Sequence, residues 1–331
     1  MTTFRSMNAT PMTPFQKTPA WRSTPPALFP PVMGLFGLAL AWRRASAFSD
    51  AAGTISDLVF GVVTMLFLLL AAAYVAKVIS APEVVGRDLT VLPGRLGLSA
   101  FSMSVMLLGA GLVPFSTGLA TVLVFGGLAL HAALAVWIAR LLLAAPPEGR
   151  AVTPAWHLSF VGFIVAPLAA APLGYEGLAQ LVLYATVPVA AVIYGLSLRQ
   201  FLTRRAPEPL RPLLAIHLAP LALFGTAAAL TGQGALALGF ATAASGLILL
   251  LLASARWLTT VGFSPLWGAF TFPLAAYAGL CLTLAPAYEA FRWPGFAALI
   301  AASLLIPWIA AKVVRMWLRG SLAPKTNAAV A

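Results

Sequence analysis

Charge is scarce in this sequence: 20 Lys and Arg and 8 Asp and Glu make up 8% of 331 residues, where an average soluble domain carries roughly 25%. A chain that is 61% hydrophobic with so few solvating groups cannot maintain a water-facing surface, so a soluble globular fold is excluded. Cysteine is limited to Cys281, which rules out an intrachain disulfide and any cysteine-based metal site. Paired acids of the Asp-x-x-x-Asp kind, His-Glu-x-x-His and Gly-x-Ser-x-Gly are all missing. The usual machinery of multispan transferases and hydrolases is therefore missing too, and no catalytic residue, metal or cofactor is expected. The net charge of +12 is not arranged as a basic stripe with interleaved aromatics, so nucleic acid is not expected as a partner.

What is present is apolar sequence in bilayer-sized lengths. The hydrocarbon layer is roughly 30 Å thick and an α-helix rises about 1.5 Å per residue, so a span needs about 20 mostly apolar residues. Runs of this kind lie near 26–43, 54–77, 96–113, 118–143, 156–172, 174–198, 212–230, 233–253, 266–285 and 293–318. Strands would need alternating polarity and a closed barrel, which continuous apolar runs do not offer. The pattern predicts an all-α integral membrane protein of ten transmembrane helices over residues 25–318, flanked by cytoplasmic tails at 1–24 and 319–331. The first tail lacks the apolar core of a signal peptide.

Basic residues set the orientation. With ten spans, Arg43, Arg44 and Arg292 fall on one side, and the other 17 of the 20 Lys and Arg fall on the opposite side. The positive-inside bias places both termini in the cytoplasm, in a multi-pass protein of the cell membrane, and merging or splitting one span would scatter the charges.

Several links on the poorly charged side are very short, at Pro114 to Thr117, around Leu173-Gly174 and at Thr231 to Gly234. Short links make antiparallel neighbours, so the chain reads as five helical hairpins. The odd-numbered runs contain Pro30 and Pro31, Pro167, Pro220 and Pro273, the last three at intervals of 53 residues. A proline inside a helix leaves a carbonyl that lipid cannot satisfy, so five kinked helices suit a central wet path, although kinks also serve packing. The third run has Ser99, Ser102 and Ser104 in place of the expected proline. Even-numbered runs, such as Gly246 to Leu252, are plain aliphatic sequence suited to an outer layer.

Leu266-Trp267-Gly268-Ala269-Phe270-Thr271-Phe272-Pro273-Leu274 in the ninth run resembles the W-x-[AG]-[FY]-[ST]-F-P signature of the tellurite-resistance/dicarboxylate transporter family, which includes the plant guard-cell slow anion channels. Phe29, Gly34-Leu35 and the Leu-Ala-Trp ending at Trp42 are similar to the family's opening helix. Arg211 with Leu218-Ala219-Pro220, and the stretch from Pro154 to Phe160, agree with it as well. The resemblance implies odd helices around a pore, even helices outside, three protomers each with its own pore, and an aromatic gate at Phe272. Pore-lining candidates are Phe29, Pro31, Ser102, Pro167, His217, Pro220, Phe270 and Pro273. The Pro30-Pro31 pair and the proline missing from the third run depart from the family pattern.

The eight acids map to loops or helix ends. A proton-coupled carrier needs a carboxylate or histidine relay within the membrane, which favours a passive conduit. His217 precedes Pro220 and is read as an interhelical hydrogen-bonding group; His131 and His157 carry less weight. Helix amino-terminal dipoles and basic residues at a pore mouth, Arg95 and Arg211 among them, can favour anions without fixed charge inside, though topology marking also accounts for these arginines. An anion channel ranks first, with lipid and a small inorganic or organic anion as partners. A secondary transporter of C4-dicarboxylate, sulfite or tellurite-type oxyanions ranks second.

Overall fold

A computed structural model describes residues 19–146 and 150–331. Arg5, Lys17, Glu148 and most of the expected N-terminal tail lie outside the described residues. A 3₁₀ turn at Pro26–Leu28 leads into α1 (Phe29–Ala45), followed by α2 (Asp50–Ser80), the short α3 (Val84–Thr90), α4 (Leu92–Leu112) and α5 (Thr117–Ala144). The next apolar run is broken into a π-helical turn (His157–Val161), a 3₁₀ turn (Gly162–Val165) and α6 (Pro167–Ala170). After α7 (Glu176–Thr203), a 3₁₀ stretch (Glu208–His217) continues as α8 (Leu218–Leu230). Next come α9 (Gly234–Ala253) and the one-turn α10 (Ala255–Leu258). A 3₁₀ stretch (Pro265–Phe270) then runs into α11 (Thr271–Leu284), before α12 (Arg292–Leu318) and α13 (Leu322–Thr326).

Each apolar run lies on helix, with its ends moved by a few residues. Eight of the resulting helices are long and apolar enough to cross a membrane. α1, at 17 residues, and the broken His157–Ala170 stretch are shorter. The chain is an all-α, multi-pass membrane protein. Two short links reverse through Gly174 (φ 86°) and Gly232 (φ 75°), a left-handed backbone that a side chain would strain.

Burial divides the long helices into two groups. Between 56% and 78% of the most apolar window is buried in α4, in Glu208–Leu230 and in Pro265–Leu284, against 17% to 39% in α2, α5, α7, α9 and α12. α1 joins the first group, with Val32, Phe36, Leu38 and Ala41 fully enclosed. The second group turns Leu58, Met65, Leu181, Leu249 and Leu304 outward, which is favourable only against lipid.

The prolines do not act as kinks in continuous helices. Pro30 and Pro31, Pro167, Pro220 and Pro273 all sit in the first turn of an α-helix that follows a 3₁₀ segment, directly or, for Pro167, after the single turn residue Ala166. First-turn N–H groups have no intrahelical partner, so a residue without N–H loses little there. The third run obeys the same rule: α4 starts earlier than its hydropathy suggests and carries Pro93 in its first turn. Among the described residues the prolines within α-helix interiors are Pro188 in α7 and Pro307 in α12, both in the outward-facing group, and Pro212 lies within the 3₁₀ stretch before α8.

Among the described residues one pair of charges is fully enclosed, although Lys77 ends the second apolar run and Asp88 maps with the acids of loops and helix ends. Lys77 Nζ donates to Asp88 at 2.9 Å and to the Thr24 carbonyl at 3.1 Å, and both side chains are fully buried. Asp88 also accepts from the Tyr74 hydroxyl at 3.0 Å and from the Ala329 backbone N–H at 2.8 Å. Removing one partner from such a pair leaves an uncompensated buried charge. Asp88→Asn should therefore destabilise the protein by about 3–5 kcal/mol, while the double variant Lys77→Met/Asp88→Leu recovers most of the loss. Thermal unfolding of the detergent-solubilised protein distinguishes the two; equal damage in both would show that the charges themselves do not matter.

Candidate functional site

Two neighbouring cavities lie between the buried segments. The first, of about 50 Å³, is lined by Pro30 of α1, Pro93 of α4, His157, Pro220 of α8 and Pro273 of α11, together with Pro265. The second, of about 160 Å³, is lined by Gly37 of α1, Ala110 of α4, Leu168 of α6, Thr226 of α8 and Ala275 of α11. In each of these five segments the residue on the first cavity precedes the residue on the second. The segments consequently run in the same direction, from one cavity to the other, and the outward-facing helices bring the chain back.

Phe272 and Leu223 line both cavities. Phe272 is 2% exposed. The side chain is held from α1: a Cβ on Gly37 would stand 3.0 Å from the ring, and one on Gly34 would stand 2.4 Å from Thr271 Cβ. Small residues thus let α1 and the start of α11 approach closely, as membrane helices commonly do. Thr271 adds a polar tie, its hydroxyl donating to the carbonyls of Gly268 at 2.7 Å and Pro30 at 3.2 Å. These bonds tie the 3₁₀-to-α junction before α11 to the start of α1.

Electrostatically the two spaces differ. The second cavity is flanked by Arg43 and Arg44. Arg43 donates to the Gly111 carbonyl at 2.7 Å and pairs with Asp57 at 3.0 Å, while Arg44 has no carboxylate partner among the described residues. The first cavity is walled by aliphatic and proline side chains, with His157 as its one ionisable lining group. α1, α4, α8 and α11 all begin beside it, so their positive amino-terminal dipole ends surround it.

Of the pore-lining candidates, Pro220 and Pro273 line the first cavity. Pro30 lines it in place of its neighbour Pro31. Phe29 instead sits in an aromatic cluster with Phe67, Tyr74 and Phe101, at ring distances of 6.3, 6.0 and 4.9 Å. Ser102 turns toward α5 and bonds His131 at 2.7 Å. Pro167 is buried beside cavity-lining Leu168. Phe270 packs edge-on against Trp267 at 5.6 Å. His217 stands one residue behind the wall, bonded to cavity-lining His157 at 3.0 Å. Arg211 stacks 4.6 Å from Trp257 and pairs with Glu208 at 3.3 Å, and Arg95 donates to the Leu89 and Thr90 carbonyls. Both arginines cap local backbone instead of lining either cavity.

A family model described as voltage-dependent anion channel (SLAC1) matches residues 23–314. No curated protein matches the chain.

The contact between α1 and α11 is testable independently of transport. Gly34→Ala forces a methyl group against Thr271 and should destabilise the protein by about 1–3 kcal/mol through overpacking, whereas Gly61→Ala, where a Cβ meets nothing within 4 Å, should not. Unfolding midpoints in detergent compare the two, and equal midpoints would mean that α1 and α11 are not held so closely.

Proposed function

The chain belongs to the voltage-dependent anion channel family, and on that premise we propose that it conducts small anions through a pore of its own in each protomer, closed by Phe272. The observation that carries this reading is that Phe272, almost fully buried, borders both cavities. A bulky apolar ring in a narrow conduit excludes water and hydrated ions. Selectivity for anions is supported by Arg43 and Arg44 at the second cavity and by helix amino termini around the first.

On this reading ten segments cross the bilayer as five hairpins, with α1, α4, the His157–Ala170 stretch, α8 and α11 inside and α2, α5, α7, α9 and α12 outside. Both termini are cytoplasmic, and the first cavity faces the cytoplasm of the cell membrane. The flanking segments, 1–24 and 319–331, form the cytoplasmic ends. Three protomers associate, as the family resemblance implies. A coupled carrier of dicarboxylate or oxyanion is the second reading, and the histidine pair at the first cavity is what favours it.

Anion currents in planar bilayers or oocytes test the proposal, with chloride exchanged for nitrate and then for a dicarboxylate. Phe272→Ala should raise a small wild-type current severalfold, with a reversal potential that follows the anion gradient. If neither protein carries current while vesicles take up anion saturably and only with a pH gradient, the channel reading gives way to the carrier.

A further inference from the structure

The aliphatic wall of the first cavity has one polar gap. His157, 2% exposed, lines the cavity, and its Nε2 lies 3.0 Å from Nδ1 of His217. Nε2 of His217 in turn lies 2.9 Å from the Ser197 hydroxyl. Ser197 lines a second space altogether, an open basin of about 620 Å³ that also holds Arg199, Arg204 and Arg205. Leu213 borders both the cavity and the basin, so the wall between them is thin. Ser197, His217 and His157 cross it as one hydrogen-bonded file.

The other end of that file is unpaired. His157 Nδ1 is enclosed and has no hydrogen-bond partner. Two neutral histidines paired for packing would account for the inner contact but not for a ring nitrogen left unsatisfied, which is costly in a dry interior. An occupant of the cavity with an acceptor atom would satisfy it.

Mostly neutral groups face the pair. From α7, Tyr194 stacks 4.7 Å from the His157 ring and 5.1 Å from the His217 ring, and its hydroxyl donates to the His217 carbonyl. From α4, Ser99 bonds Ser159 at 3.0 Å, and from α5, His131 is bonded to Ser102 and not to the pair. On the segment carrying His217, Glu208 and Arg211 pair with each other. Among the described residues no carboxylate is bonded to either ring, and the nearby fixed charges are the basin arginines beyond Ser197.

We propose that His157 is a protonatable anion-binding group of the first cavity, loaded with protons from the arginine-lined basin through Ser197 and His217. In the starting arrangement the Ser197 hydroxyl donates to His217 Nε2, His217 Nδ1–H donates to His157 Nε2, and His157 Nδ1 carries its own proton. A proton from basin water adds to Ser197 Oγ as the hydroxyl proton passes to His217 Nε2. The His217 Nδ1 proton then passes to His157 Nε2. Ser197 and His217 end neutral, and the single added charge resides on His157, whose Nδ1–H donates to the anion. The ligand class is a small anion with a halide or oxygen acceptor, held as an ion pair in otherwise aliphatic surroundings. For transport, though not for binding, the proposal rests on the conduction reading above.

The test uses the full chain in lipid with nitrate as the probe. In spectra of histidine labelled with nitrogen-15, assigned through single His→Gln variants, nitrate should shift the His157 ring nitrogens and move its protonation to higher pH, because the anion favours the charged ring. In proteoliposomes, nitrate flux through Phe272→Ala should rise severalfold from about pH 8 to about pH 5.5, a range spanning the ordinary histidine pKa. His157→Gln in that background should flatten the rise. So should Ser197→Ala, a small change at the basin end that leaves both rings in place. A His157 signal indifferent to nitrate, or an acid-stimulated flux unchanged in both variants, overturns the proposal. Nitrate binding at His157 without flux in any variant keeps the site and overturns the conduction reading instead.

Discussion

Hydrocarbon offers no hydrogen bonds, and the whole arrangement depends on that constraint. The π- and 3₁₀-helical stretches at His157–Val165, Glu208–His217 and Pro265–Phe270 depart from regular α bonding and cannot face lipid. They must collect on the inside, where Thr271 bonds Gly268 and Pro30 and Ser99 meets Ser159. Uninterrupted helices such as α2, α5 and α9 can face outward because their backbone is satisfied internally. The division between inner and outer segments thus follows from backbone regularity, and the cavities lie where irregular backbone has gathered.

The fold class and the approximate positions of the long helices were legible in the sequence, because apolar run length and proline are local signals; the short α3, α10 and α13 fall in stretches read as links or tail. Orientation of individual side chains was not. Each residue advances a helix face by about 100°, so choosing Pro31 over Pro30, or His217 over its partner His157, is an error of rotation that run-length analysis cannot resolve. Pro93 was missed because it lies outside the most apolar part of its run, although α4 begins there. Phe272 was found through a sequence signature, and the packing that seats it, Gly37 against the ring, requires α1 and α11 to be neighbours, which no local pattern shows.

Lys77 and Asp88 illustrate a different limit. A charge at the end of an apolar run looks like a marker of membrane topology. Only the turn between α2 and α3 brings the two side chains together, and only the segments around Thr24 and Ala329 complete the shell around them. Both ends of the described chain thus meet at one buried electrostatic centre, with Arg87 donating to the Val330 carbonyl and the Ala331 N–H to the Arg22 carbonyl.

The placement of charge on either side of Phe272 is unequal: Arg43 and Arg44 border one cavity, while the other has only a histidine in an aliphatic wall. On the conduction reading, an ion approaching from the arginine side meets full side-chain charges before it reaches the ring, while from the opposite side it first meets only the partial charges of helix amino termini. A conduit built this way has no mirror symmetry in its energy profile, so equal and opposite driving forces need not give equal and opposite flows. On the conduction reading such a conduit would rectify, with a polarity set by where two arginines fall at the end of α1.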